Sequence, residues 1–255
     1  MQLIPQVREA LGLLEKKKIR DKAGKFVVEG EHLVLEALKD AEYVIYSAES
    51  PAVRAAASSR ISSFKVSRKV FSLLTSVETP QGVLAVVKKR EWNLEDVIRS
   101  AGTIIFCAGI QDPGNLGTVI RSADAVGAAG VIVSRGTVDP FNQKTIRSTM
   151  GSLFHLPLVQ IDDEEESIRA LKKRGIKVIG ADMSGKDYWG AELSGPVTVL
   201  IGNEGAGLPD KVLAACDEVV KIPMPGRAES LNAAMSASLI MYETLRQKWS
   251  KESKL

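Results

Sequence analysis

The second half of the chain strings together short, unbroken apolar runs at nearly regular intervals. They lie at Thr103–Ala108, Gly130–Ser134, Leu156–Gln160, Lys177–Ala181, Val197–Gly202 and Val219–Lys221. Several are continuous Val and Ile without polar alternation, which marks strands covered on both faces. Between them the apolar spacing changes to three and four, predicting helices over Asn115–Val126, Asn142–Met150, Glu164–Arg174, Pro209–Ala215 and Leu231–Trp249. This alternation leaves little choice of architecture: an α/β layer domain with a mostly parallel sheet. No run approaches the roughly 20 apolar residues a membrane span needs, so no membrane association is expected.

The first third reads as a separate, smaller α/β domain. A helix is predicted over residues 2–18, with Leu3, Val7, Leu11 and Leu14 on one face. Strands are predicted at Phe26–Glu29, Tyr43–Tyr46, Ser63–Val66 and Val83–Val87, with helices over Glu31–Lys39, Val53–Ser59 and Arg68–Leu74. The charged run Lys88–Asn93 is read as the linker, giving domains of 1–90 and 94–255. A chain of 255 residues buries roughly 70–75% of its unfolded surface and needs no disulfide or metal. Cys107 and Cys216 lie far apart in apolar contexts and are read as reduced thiols of a cytoplasmic protein. His32 and His155 are too few for a histidine-rich metal site, and neither accompanies a nucleophile-elbow motif, so no metal and no serine triad are expected. The N-terminus lacks the charged and apolar regions of a signal peptide. The tail Lys251–Leu255 is expected to fray.

Charge is unevenly spread. Residues 1–90 hold 16 basic and 10 acidic side chains, the remainder 18 and 21. A basic first domain on a slightly acidic body points to a polyanionic partner. The densest patch carries Lys16, Lys17, Lys18, Arg20, Lys22 and Lys25. Such a patch is either a nucleic-acid surface or a solvated helix end followed by a turn.

In a parallel sheet, ligands bind beyond the C-terminal strand ends. Three such ends are rich in Gly, Asn and acidic residues: Gly109–Arg121, Ile201–Asp210 and Ile222–Asn232. In the first, Asp112-Pro113-Gly114-Asn115 is turn chemistry, with Asn115 expected as the N-cap and Arg121 about 1.7 turns further on. In the second, Gly202, Gly205 and Gly207 permit close backbone approach to a flat ligand. Their spacing is not the dinucleotide fingerprint, which disfavours a dehydrogenase. In the third, Ser230 is expected to cap a helix from Leu231, with Asn232 in its first turn. Taken singly, each loop is equally an ordinary cap or turn. Taken together, they describe one small-molecule site, and the reaction type does not follow from the pattern.

The three loops together resemble the motifs of the SpoU/TrmH-type RNA 2′-O-ribose methyltransferases, of the SPOUT superfamily. The residues that carry the resemblance are Asp112–Gly117 with Arg121, Gly202–Gly207, and Ile222-Pro223-Met224 with Ser230-Leu231-Asn232. Thr118 stands where some members have alanine. Residues 18–30 and Thr79–Gly82 are similar to the family's substrate-binding domain, which has a small ribosomal-protein-like fold. The resemblance implies a C-terminal trefoil knot, a homodimer, and S-adenosylmethionine held by Gly202, Ile222, Met224 and Leu231. It implies transfer of a methyl group to a ribose 2′-hydroxyl, with Asn115, Arg121, Glu204, Ser230 and Asn232 as the catalytic set. A guanidinium rarely surrenders its proton, so Arg121 is read as a bidentate phosphate clamp. RNA would be gripped by the basic segment Lys16–Lys25, with ribosomal RNA the favoured substrate. Transfer RNA, or a non-catalytic RNA-binding role on the same fold, are the alternatives.

Overall fold

The computed structural model describes residues 3–253. They cluster into two compact units, one of residues up to 90 together with 139–154, the other of 91–138 together with 155 onward.

The first unit runs α1 (Pro5–Glu15), α2 (Lys17–Ala23), β1 (Lys25–Glu29), α3 (Glu31–Ala37), β2 (Ala41–Tyr46), α4 (Pro51–Ser58), β3 (Ser62–Lys65), α5 (Arg68–Phe71) and β4 (Val83–Lys88). Its sheet has the order β1-β4-β2-β3, with only β2 and β3 parallel. The single first helix expected from periodicity is broken at Lys16, whose backbone is extended. The reason is register. Val7, Ala10 and Leu13 face the core, and an unbroken helix would next aim Lys17 inward. The break brings Arg20 inward instead, where it is 6% exposed. Its Nε and Nη2 donate to Asp139 Oδ2 (3.0 and 2.6 Å), and its Nη1 donates to the Leu13 carbonyl (2.7 Å).

Asp139 opens a sixteen-residue excursion, 139–154, that leaves the parallel sheet's chain path and packs within the first unit. Phe141 lies 4.9 Å from the Phe26 ring, and Gln143 Nε2 donates to the Val27 carbonyl. No periodicity announces this allegiance.

In the second unit come α6 (Leu94–Ile98), β5 (Thr103–Cys107), α7 (Pro113–Ala125) and β6 (Gly130–Ser134). After α8 (Gln143–Thr149) of the first unit follow β7 (Leu158–Ile161), α9 (Glu164–Lys173), β8 (Lys177–Asp187), β9 (Val197–Ile201), α10 (Asp210–Ala215), β10 (Glu218–Lys221) and α11 (Ala233–Glu252). Helix α6 was not expected, although its Asn93–Asp96 capping box stands in the sequence. The sheet is wholly parallel in the order β10-β8-β9-β5-β6-β7. Its strands β5, β6 and β9 are buried on both faces, as the Val/Ile runs require, with Phe106, Ile132, Val178 and Leu200 in the core. Helix α11 runs through Glu252 without fraying earlier, while Lys254–Leu255 of the tail and Gln2 of the first predicted helix fall outside the described residues. No helix among the described residues is long and apolar enough to cross a membrane.

Candidate active site

Strands β5 and β9 are neighbours from which the chain departs to opposite sides of the sheet. Such a reversal opens a crevice at the strand ends. The first two loops leave from this point, and the third leaves β10 two strands away.

The first loop is anchored before its helix begins. Gly109 N–H donates to Thr137 Oγ1 (2.9 Å), and Val138 N–H donates to the Ile110 carbonyl (2.8 Å). Helix α7 starts earlier than expected. Asp112, not Asn115, is its N-cap, accepting from Asn115 N–H at 2.9 Å, and Pro113 occupies N1. Capping by Asp112 frees the Asn115 side chain for the loops.

The second loop is a tight reversal. Asn203 and Gly207 exchange two backbone hydrogen bonds of 3.0 Å, and Asn203 Oδ1 accepts from the Gly205 and Ala206 N–H groups. Asn203 Nδ2 donates to the Gly109 carbonyl, tying this loop to the first. Gly202 lines the cavity, but its missing side chain serves the reversal itself. A Cβ there would collide with the Gly207 carbonyl group.

The third loop ends in a cap different from the expected one. Asn232 caps α11, its Oδ1 accepting from Ala234 and Met235 N–H, whereas Ser230 faces the cavity.

One hydrogen-bonded chain joins all three loops. Asn232 Nδ2 donates to Asn115 Oδ1 (2.8 Å), and Asn115 Nδ2 donates to Glu204 Oε1 (2.9 Å). Glu204 also accepts from the Gln111 and Asp112 N–H groups at 3.0 and 3.1 Å. Burial pushes the Glu204 carboxyl up, but the Asn115 amide and the two backbone donors outweigh it and hold it below the ordinary carboxylate range.

Beside this chain lies a cavity of about 490 Å³, a size typical of small-molecule sites. Gly202, Ile222, Met224 and Leu231 all line it, as do Glu204, Ser230 and Asn232. Asp182 and Met183 of β8 line it too, and sequence reading missed them because β8 was expected to end at Ala181. Arg121 does not line it. It is exposed on α7, with no side-chain partner among the described residues.

The basic segment of the first unit is less uniform than its sequence. Lys16, Lys18 and Lys22 are exposed and form no ion pair among the described residues, and Lys17 is exposed but bonded to Asp21 at 2.6 Å. Arg20 is buried in the fold, so it offers nothing to a surface ligand. Lys25 is held between Glu9 (2.9 Å) and Glu42 (2.7 Å). Lys65, Arg68 and Lys69, at the edge strand β3 and α5, are exposed and form no ion pair among the described residues. Their spacing was readable, but the denser run drew attention away. No cluster of metal-binding side chains occurs among the described residues. Both cysteines are free thiols; burial pushes Cys107 up to about 12 and Cys216 up to about 11.

A wholly parallel sheet with a polar-rimmed cavity beyond the ends of β8, β9 and β10 defines an α/β enzyme with a small-molecule site. Residues 102–242 match the SpoU rRNA Methylase family, and residues 5–85 match the MRM3-like substrate binding domain. The chain belongs to the SpoU rRNA methylase family. It is 38% identical to the 23S rRNA (guanosine(2553)-2′-O)-methyltransferase RlmP of Bacillus subtilis, over 90% of this chain and 92% of that protein. Among solved structures it resembles the SpoU methyltransferase AviRb of Streptomyces viridochromogenes in complex with AdoMet. That match has a TM-score of 0.89 and 32% identity, covering 97% of this chain and 99% of the other. The AdoMet-bound rRNA methyltransferase of Sinorhizobium meliloti gives 0.86 and 35%, covering 95% and 94%.

Proposed function

We propose that this chain transfers a methyl group from S-adenosylmethionine to a ribose 2′-hydroxyl of ribosomal RNA, working as a cytoplasmic homodimer. The observation that carries this reading is the Glu204–Asn115–Asn232 chain, which ties the first loop to the second and third, the two that line the cavity.

The cavity's chemistry fits the cofactor. Ile222, Met224, Leu231 and Ile240 offer apolar surface for a purine. Glu204 supplies negative charge for a ligand with a sulfonium and an ammonium. S-adenosylmethionine, when bound, supplies an already activated methyl group, so the protein's contribution is mainly positioning.

Glu204, fixed by three donors, the Gln111 and Asp112 N–H groups and the Asn115 amide, sets the rim geometry and keeps its charge. Asn115 and Asn232 hold the first and third loops in register. Ser230 presents its hydroxyl to the cavity. Arg121 stays unpaired for the RNA phosphate beside the target ribose, where a planar guanidinium can donate two bonds at once.

The homodimer is supported by α11. Met235, Leu239, Tyr242 and Trp249 are exposed at spacings of four, three and seven, forming an apolar stripe on a helix that also packs against α7. The expected C-terminal knot is supported by the strand order. The chain goes out to β10 beyond β8, and α11 then returns to pack on α7 and β9. RNA is gripped by the exposed lysines of residues 16–22 together with Lys65, Arg68 and Lys69.

The test is methyl transfer from labelled cofactor to separate ribosomal and transfer RNA pools, for the unaltered protein and Arg121→Ala. Labelling of ribosomal RNA, lost in the variant while cofactor binding persists, is expected. Labelling of transfer RNA alone would contradict the substrate assignment.

A further inference from the structure

The cavity's second carboxylate has no assigned task. Strands β8 and β10 pair in register up to Gly180–Val219, and then the next pair is Lys186–Val220. The intervening residues Ala181–Gly185 bulge out of the ladder. Gly185 permits the return: a Cβ there would stand 2.6 Å from the Val219 carbonyl oxygen. Asp182 shapes the bulge, its Oδ1 accepting from Ser184 N–H (2.9 Å) and Ser184 Oγ (2.7 Å). Its other oxygen, Oδ2, has no partner among the described residues. It points along the second loop, 3.4 Å from where a Gly207 Cβ would sit. Glu204, by contrast, has both oxygens engaged.

Strand β8 lies between β9 and β10, whose loops form the two sides of the cavity. S-adenosylmethionine has a matching order. Its ribose joins the purine to the sulfonium, so the sugar takes the middle of the site. We infer that Asp182 Oδ2 accepts a hydrogen bond from the 2′,3′-diol of the cofactor's own ribose, with Ser184 holding the carboxylate in place. The inference rests on the cofactor assignment above and adds a side-chain contact to the cofactor's sugar.

The experiment is calorimetric titration of the full-length protein with S-adenosylhomocysteine and with 5′-methylthioadenosine. The second probe keeps the ribose diol but lacks the amino and carboxyl groups. Asp182→Ala is expected to weaken both probes by the same factor, about tenfold to a hundredfold. Asp182→Asn keeps an acceptor for Ser184 and carries the test should the alanine variant fail to fold; it is expected to lose about tenfold for both probes. Ser184→Ala is expected to lose less than either. A loss confined to S-adenosylhomocysteine would place Asp182 at the amino-acid end and overturn the inference. Unchanged binding in both variants would also overturn it, as would a Ser184→Ala loss equal to that of Asp182→Ala. Failure of the unaltered protein to bind either probe would instead sink the cofactor assignment, and this inference with it.

Discussion

Two regions of this molecule were singled out for the same kind of reason, a local density of functional residue types, and they fared differently. The three strand-end loops of the second unit come together as one bonded group, Glu204–Asn115–Asn232, beside a cavity that the second and third of them line. The basic segment 16–25 of the first unit is dispersed: Arg20 turns inward, Lys25 is held by two glutamates, and Lys16, Lys18 and Lys22 stay free. A parallel sheet fixes where every strand end lies, so polar residues there are placed by topology. A charge run on a helix is sorted face by face, and a single break at Lys16 decides which cation meets the core.

The sharpest way to break this contrast is Arg20→Ala. It would leave Asp139 buried at 9% exposure without its partner, and uncompensated buried charges cost about 3–5 kcal/mol. A matching drop in denaturation midpoint, with cofactor affinity retained below the transition, is expected. A wild-type midpoint would mean Arg20 is a surface cation after all.

Next in size is Arg121→Ala, expected to lower turnover by about a hundredfold or more while leaving the melting temperature unchanged. Saturation kinetics and a thermal scan check both halves. Its exposed position, with no side-chain partner among the described residues, makes it the structural reverse of Arg20, as the proposed phosphate contact requires.

Asn232→Ala removes both the α11 cap and the tie to Asn115. About 1 kcal/mol of stability is expected to go with the cap, together with weaker cofactor binding in calorimetry. Loss of stability with unchanged binding would reduce Asn232 to a cap alone.

The pH response bears on the same cluster. Glu204 has a folded pKa below its unfolded value near 4.5, so its contribution is fully present above that value and fades as pH falls through the lower folded one. Glu204→Gln is expected to flatten this acid limb of the stability profile.

The smallest effect is expected from the triple variant Lys16→Ala, Lys18→Ala, Lys22→Ala. RNA affinity should fall a few-fold, with the salt slope shallower by about two to three charges. An unchanged slope would leave the RNA surface to Lys65, Arg68 and Lys69.

Much of the fold was legible. Apolar runs marked every strand of the parallel sheet, most plainly β5, β6 and β9, where burial on both faces leaves an unbroken signature. The site residues were legible as types but not in their roles. Asn115 and Ser230 were expected to cap helices, yet Asp112 and Asn232 do so, since capping depends on backbone angles two or three residues away. Gly202 was expected to make room for a ligand and instead makes room for Gly207. Asp182 was missed because the bulge that carries it depends on pairing with β10, a contact between residues some forty positions apart. The allegiance of 139–154 depends likewise on Phe26, Val27 and Arg20, far off in the chain.

Central to the proposed function is delivery of a methyl group to a ribose oxygen from a donor held by the second and third loops, with the first tied to both. It is tested most directly by alkaline hydrolysis of ribosomal RNA labelled by the purified protein with S-adenosyl-[methyl-³H]methionine. A methylated 2′-oxygen blocks alkaline cleavage, so the label is expected in alkali-resistant dinucleotides. Label recovered in mononucleotides, as base methylation would give, contradicts the account.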